Sequence, residues 1–380
     1  MQATSDDMCQ YCDESLIKAI LPDDSDIWRP HESPFIRDLI EKWSSHGMNR
    51  LGALQAELAK WTNHEFFNPA SQLVPRPNAL LRMNQAELAV TRLYLESIPP
   101  ELFTVDDWMM VVDYLVQRYL PHDEMIDEAK WQVTRAAMMG RVEAQMPLMS
   151  ALAAGRVAMA LPFDITVIER EFGLYPAQKA AIEFGQARNC QYVTNVTEAV
   201  RNKMKLTVIE WQQDKFLGTP SVIAKRDLQG RLLDEFAVLN RDWRRIAMTE
   251  LADASMNGLL ASLPNNSKVK RQEMYRGACP YCQSIDGRIF TLVSPNAKEK
   301  NSETQVWVGK TNYGRSSAPS KRTPEGLKPR TAVEMWHVPA GPVHPHCRGR
   351  WQPVLNVSPE GDPKFAAWLE NHFMQRKATL

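Results

Sequence analysis

The segment Ala278-Cys279-Pro280-Tyr281-Cys282-Gln283-Ser284-Ile285-Asp286-Gly287-Arg288-Ile289-Phe290, with its distant counterpart Val343-His344-Pro345-His346-Cys347-Arg348, decides how this chain is read. A Cys-x-x-Cys knuckle lets two thiolates approach one cation from a single tight turn, and a His-x-x-Cys pair can complete a tetrahedron. Cys279, Cys282, His344 and Cys347 are therefore the expected ligands of a structural Zn2+, with His346 or His337 as substitutes. Four protein ligands close a zinc site, whereas a catalytic zinc keeps one position open. Asp286-Gly287 suits a two-residue turn with positive φ at its centre, so a β-hairpin is expected across Ile285–Phe290. A hairpin held by packing alone is the competing reading. A small β region with few bulky aliphatics gains more from a metal staple.

Around this module the texture is helical. Leu, Trp, Met and Val recur at three- and four-residue spacing in Phe35–Trp43, Leu51–Trp61, Gln85–Leu95 and Val105–Leu120, the period of an amphipathic helix. Pro121 ends the fourth, a longer helix covers Glu124–Gln145, and the Trp and Met residues read as core. A second helical unit starts at Tyr175-Pro176, where proline fits a first turn. It is expected as Ala177–Tyr192 and Thr197–Gln212, broken at the capping residues Asn195-Val196-Thr197-Glu198. A short helix carrying Val222, Ile223, Leu228, Leu232 and Leu233 and a last one over Asn240–Leu263 follow. The fold class is thus mainly α with a small α+β C-terminal module. Its parts are a helical region 1–170, a helical region 175–265, the knuckle module 266–355 and a helical tail 356–380. The apolar run Leu148–Phe163 is interrupted by Arg156 and Pro162, so no membrane span is expected.

The formal net charge is +0 over 380 residues, but it is unevenly spread. From Ser267 onward 18 Lys and Arg face 9 Asp and Glu, while the first thirty residues hold Asp6, Asp7, Asp13, Glu14, Asp23, Asp24 and Asp26. The insertion 296–333 between the ligand pairs is the basic centre. Lys310, Arg315, Lys321, Arg322, Lys328 and Arg330 stand there against Glu325 in the span 310–330. Its Gly, Ser and Pro content favours a mobile arm. Such an arm suits phosphate contact, with Trp307, Tyr313 and Trp336 available for stacking, or docking on an acidic protein surface. A solvated loop accounts for the charge equally well.

Six cysteines are too few for a disulfide framework of this length, and Met1–Asp6 lacks a signal peptide's basic and apolar blocks, so a reducing compartment is expected. Cys9-Gln10-Tyr11-Cys12 has no second pair to complete a metal site, and Cys190 reads as a small buried hydrophobe. Thr249 and Glu250 are adjacent on a helix and point about 100° apart, so Glu250 reads as an ion-pair partner, not half of a catalytic pair.

Arg245-Ile246-Ala247-Met248-Thr249-Glu250 with Ala254 and Asn257, then Cys279-Pro280-x-Cys282-x-x-x-Asp286-Gly287-x-x-Phe290 and His344-Pro345-x-Cys347-Arg348, together resemble the Mu F-like minor head proteins, the phage head morphogenesis proteins. The similarity covers Tyr175–Val354. The family often has Cys-Arg-Cys where this chain has Cys347-Arg348-Gly349, and Asn at the place of His346. The resemblance implies a non-enzymatic minor capsid component of a tailed-phage virion, present in the host cytoplasm during assembly and placed in the capsid interior or at the portal vertex. Its partners would be the portal protein, the major capsid protein and double-stranded phage DNA, with no membrane and no small-molecule substrate. The alternative is a zinc-containing DNA-binding protein or a His-Asn-His-type nuclease, suggested by His344-Pro345-His346.

Overall fold

The structure is a computed structural model that describes residues 33–217, 228–354 and 363–374, except 34, 70–73, 79–81, 148, 274–276 and 346. It is mainly α-helical with a small C-terminal sheet. The helices are α1 Arg37–Thr62, α2 Gln85–Ser97, α3 Val105–Tyr119, α4 His122–Gln145, α5 Ala151–Ala160, α6 Ile165–Phe172, α7 Pro176–Leu217, α8 Leu228–Ala261, the one-turn α9 Pro280–Ile285, and α10 Pro363–Met374. The strands are β1 Lys268–Gln272, β2 Ile289–Leu292, β3 Gln305–Val306, β4 Ser320–Thr323, β5 Gly326–Pro329 and β6 Arg350–Pro353. No described helix is long and apolar enough to cross a membrane.

Several expected breaks are absent. The two helices expected within Phe35–Trp61 are one, α1. Gly47 is tolerated inside it because a Cβ there would sit 1.8 Å from the Trp243 indole, which donates to the Trp43 carbonyl at 3.2 Å. The cap expected at Asn195–Glu198 is not one either, because α7 runs through it. The Thr194 and Thr197 hydroxyls donate to the carbonyls of Cys190 and Val193, each at 2.9 Å. Bonding four residues back keeps these threonines in a helix interior, where a cap would have drawn the backbone out. Likewise the helix expected over Asn240–Leu263 is the C-terminal part of α8, which also contains Leu232 and Leu233. Val222 and Ile223 lie outside the described residues. Where caps do form they follow the sequence. Asn84 with Glu87, and Thr104 with Asp107, make reciprocal capping boxes that satisfy orphan amides of α2 and α3.

The chain forms two compact units, each drawing on separate stretches. One comprises Lys42–Ala129 and Asn189–Arg244. Its core sets several tryptophans among aliphatic side chains. Trp43 meets Trp243 edge-on at 5.7 Å, and Trp108 meets Trp211 at 5.3 Å. Asp113 accepts an ion pair from Lys205 at 2.8 Å and another from Arg201 at 3.3 Å.

The other unit, Met1–Glu41, Lys130–Arg188 and Arg245–Leu380, carries the cysteine module. There α4 and α8 approach backbone to backbone. A Cβ on Gly140 would fall 1.9 Å from the Ser255 carbonyl, and one on Gly258 would fall 2.0 Å from that of Ala137. Only glycine fits both positions, and the close crossing gives the module a firm helical floor. Above it lies a four-stranded sheet in the order β3-β2-β1-β6. The strand β1 pairs antiparallel with β2 and β6, whereas β3 joins β2 in parallel. Alternation sends Val269, Arg271, Phe290, Leu292 and Trp351 inward and leaves Lys268 and Lys270 exposed.

Glu143 of α4 lines a small cavity in this unit with Ser33, Ile36, Ser255, Met256 and Arg350. Burial pushes its carboxyl up to about 7, against a smaller opposing pull from Arg350. The folded protein therefore holds a proton on Glu143 that the unfolded chain releases. Stability from this group is full below the ordinary Glu pKa and is lost as pH rises through about 7. Thermal unfolding of Glu143→Gln and wild type should show the wild type losing Tm relative to the variant between pH 5 and 8. Parallel pH profiles would refute the assignment.

Candidate metal centre

The cysteine knuckle forms because Pro280 occupies the first turn of α9 and Cys279 is its N-terminal flanking residue, with φ −64 and ψ 159. Proline suits that position because its missing N–H has no helical partner there. The single turn, closed by Gln283 N–H on the Cys279 carbonyl at 3.0 Å, brings Cys282 to the same side as Cys279. The expected hairpin at Asp286-Gly287 is corrected here. Asp286 has φ −60 and ψ 137, and Gly287 has φ 75. That is a type II turn with glycine where positive φ is required, and it joins a helix to β2, not two strands. The antiparallel partner of β2 is β1, so the knuckle itself is the connection between paired strands. From the other side, a turn closed by Cys347 N–H on the His344 carbonyl at 3.1 Å presents His344 and Cys347.

Four side chains converge. His344 Nε2 lies 3.4 Å from Cys279 Sγ and 3.3 Å from Cys282 Sγ, and Cys282 Sγ lies 3.9 Å from Cys347 Sγ. A tetrahedral zinc with Zn–S of about 2.3 Å and Zn–N of about 2.0–2.1 Å has edges of about 3.8 Å between sulfurs and about 3.5 Å between sulfur and nitrogen. These three separations are such edges to within a few tenths of an ångström, and Cys347 reaches the group through Cys282. Cys279, Cys282 and Cys347 are 5%, 1% and 3% exposed, so the donors face inward. The Nδ1 of His344 lies 2.7 Å from the Pro345 carbonyl. Donation from Nδ1 would fix the tautomer whose Nε2 lone pair points towards the cysteines. These residues could hold a metal ion.

Two groups that the sequence reading missed complete the surroundings. Arg271 is 0% exposed on β1. Its guanidinium reaches Cys347 Sγ at 3.4 Å, the Gly341 carbonyl at 3.1 Å and Glu273 at 3.0 Å, and it lies 5.5 Å from the Trp351 ring. Glu273 joins Cys282 and Cys347 in a second, overlapping donor group. Burial, and then the Cys347 thiolate, push its carboxyl up to about 7. The Cys282 hydrogen bond and Arg271 hold the Cys347 thiol well below its ordinary value. For His344, burial acts downward, but Cys279 and Cys347 prevail and raise the imidazole to about 9. Thiolate character is thus concentrated on Cys347, while hydrogen bonds with Cys279 and Cys347 push the Cys282 thiol upward. The alternation of β1, with Lys268 and Lys270 outward and Arg271 inward, was the available signal for Arg271. Trp336 stacks on His344 with centroids 5.4 Å apart and planes 20° apart, and Tyr281 meets Trp336 edge-on.

Of the substitute ligands, His346 lies outside the described residues. His337 is corrected: it is 9% exposed and is not among the groups that converge on the cysteines. Burial and the neighbouring cations Lys310 and Arg315 hold its imidazole down to about 4. The pair Cys9 and Cys12 also lies outside the described residues. Cys190 is only half-buried. Glu250 is an ion-pair partner, accepting from Arg188 at 2.7 Å.

The insertion also departs from the expected mobile arm. Asn312 bonds the carbonyls of His337 and Val343, Ala340 N–H bonds the Lys310 carbonyl, and β4 and β5 form a two-stranded ribbon. Lys310 is not a phosphate contact. It is 2% exposed, and its ammonium donates to the carbonyls of Ser302 and Gln305 at 2.7 and 2.9 Å, over the Trp307 ring. Burial lowers it to about 8. Arg315 is half-buried on the Met335 carbonyl, and Lys321 pairs with Glu334. Arg322 and Lys328 are exposed, and Arg330 is half-buried. Trp336 is tied into the module, its indole donating to the Arg315 carbonyl at 3.3 Å.

In comparisons with known proteins the chain matches no protein-family model, no curated protein and no solved structure.

Proposed function

We propose that the C-terminal module is a structural zinc clamp in a minor head protein of a tailed phage, acting at the portal vertex in head assembly and genome packaging or delivery. The observation that carries the structural role is the closure of the donor set. Cys279, Cys282 and His344 lie within reach of one ion, and Cys347 lies 3.9 Å from Cys282 as the fourth donor, with Arg271 and Trp336 against them. A site filled by four protein donors has no position for a substrate or an activated water. Zinc fits better than magnesium or calcium because thiolates and imidazole are softer donors than the oxygens those ions take. The assembly reading rests on the ordered motifs of α8, the knuckle and the closing pair.

The test is co-expression of the chain with portal and major capsid proteins. Co-sedimentation with portal-containing heads in few copies is the expected result. Divalent-metal-dependent nicking of DNA by the purified chain, abolished by His346→Ala, would overturn it in favour of the nuclease alternative.

A further inference from the structure

The ribbon of β4 and β5 belongs to neither the helices nor the main sheet. It is a separate two-stranded sheet in which all four residues of β5 are exposed. Its register pairs Ser320 with Pro329, Lys321 with Lys328, Arg322 with Leu327 and Thr323 with Gly326. Residues directly opposite share a face. One face therefore carries Lys321 beside Lys328, and the other carries Arg322. Arg330 follows at the base, where its N–H bonds the Pro319 carbonyl. Like charges directly opposite destabilise a ribbon. Here they are relieved by Glu334 on Lys321 and by Glu325 on Lys328 at 3.0 Å. The Lys328 pair is open to solvent, at 56% and 65% exposure, and such surface pairs yield readily to a competing anion.

Three features narrow the class of partner. Pro319, Pro324 and Pro329 interrupt the ribbon's edges, and lysines line it, which disfavours an added peptide strand. Residues 320–330 contain no aromatic side chain, so the ribbon offers no stacking platform for single-stranded bases. A two-stranded ribbon fits the major groove of B-form DNA, about 12 Å wide. The base of the ribbon is meanwhile fixed to the metal centre. Ser316 N–H bonds the Glu334 carbonyl, Trp336 N–H bonds the Ser316 carbonyl, and the Trp336 ring stacks on His344.

We propose that the ribbon 320–329 enters the major groove of double-stranded DNA, with Lys321, Arg322, Lys328 and Arg330 on the flanking phosphates and the metal clamp holding its base. This goes beyond the assembly reading and does not need it. Reliance on the clamp is its one link to the zinc assignment.

The experiment is a titration of a short fluorescent DNA duplex with the zinc-loaded full chain, followed by anisotropy, with metal content measured on the same samples. Four phosphate contacts give a slope of about −3.6 for log K against log salt over about 50–200 mM. In Arg322→Ala/Lys328→Ala, which leaves the metal ligands intact, the slope should fall to about −1.8 and binding should weaken roughly tenfold or more. Unchanged slope and affinity in that variant would overturn the proposal. So would an equal loss in Lys268→Ala/Lys270→Ala, on the open face of the main sheet, or tighter binding of polyglutamate than of the duplex. Duplex binding that survives metal removal supports groove entry by the ribbon while sinking the clamp. Loaded protein that ignores the duplex overturns the ribbon and leaves the zinc assignment standing.

Discussion

Replacing Cys282 by serine is expected to drop bound metal from about one per chain to a small fraction and to open residues 277–354 to protease. Cys282 is 1% exposed and stands at the junction of both donor groups, close to His344 and to Cys347. Its loss removes a ligand and places a hydroxyl among two other thiols and a buried arginine. Structural zinc sites contribute on the order of 10–16 kcal/mol of apparent binding free energy, and that energy is folding energy where the module cannot fold alone. The module has short strands of two to five residues, so a bound ion would be a large part of what holds it together. Cys190→Ser is the matched control, since Cys190 sits elsewhere and is half-buried. Full metal occupancy in Cys282→Ser would contradict the ligand assignment. Equal protease exposure in Cys190→Ser would contradict the specificity of the effect.

The second large effect is expected at Arg188→Met. Arg188 on α7 donates to Glu250 at 2.7 Å and to Asp253 at 2.5 Å, both on α8. The two carboxylates are 6% and 14% exposed, and burial already pushes Glu250 up to about 7. Removing the cation strands two buried acids, a loss of about 3–5 kcal/mol. Asp253 and Asn257 also hold the module's loops. Asn257 Oδ1 accepts from Gly309 N–H at 2.8 Å, and Gly341 approaches so closely that a Cβ would meet Asp253 at 1.8 Å. The expected result is a lower denaturation midpoint, with the deficit larger at pH 8 than at pH 5. The sign follows from Glu250: without Arg188 its folded pKa rises further above the unfolded value, so stability falls as pH rises. Arg188→Lys, which keeps the charge but loses the two-armed geometry, should recover part of the loss. A midpoint for Arg188→Met equal to wild type would show that the acids have other partners.

The four donors were legible in the sequence because thiolate chemistry demands its own spacing. Cys279 and Cys282 need one tight turn, and His344 and Cys347 need another. Helix existence was legible from periodicity, and the mainly α class with a small C-terminal sheet followed from it. Helix breaks were not, because Thr197 can cap a terminus or bond back within a helix, and packing decides between them. The α4–α8 crossing was also hidden, since Gly140 and Gly258 acquire meaning only when the backbones touch. In the insertion, glycine and proline signalled mobility. The structure uses them as ribbon turns, with Gly326 at φ 119. Lys310 looked like a surface cation because nothing local reveals that two carbonyls and an indole enclose it.

Zinc-edge X-ray absorption on the purified full chain tests the central claim most directly. About one zinc per chain is expected, with three sulfurs at about 2.3 Å and one nitrogen at about 2.0–2.1 Å. A metal-free protein that resists protease across the module, or a zinc shell of oxygen and nitrogen alone, would contradict it.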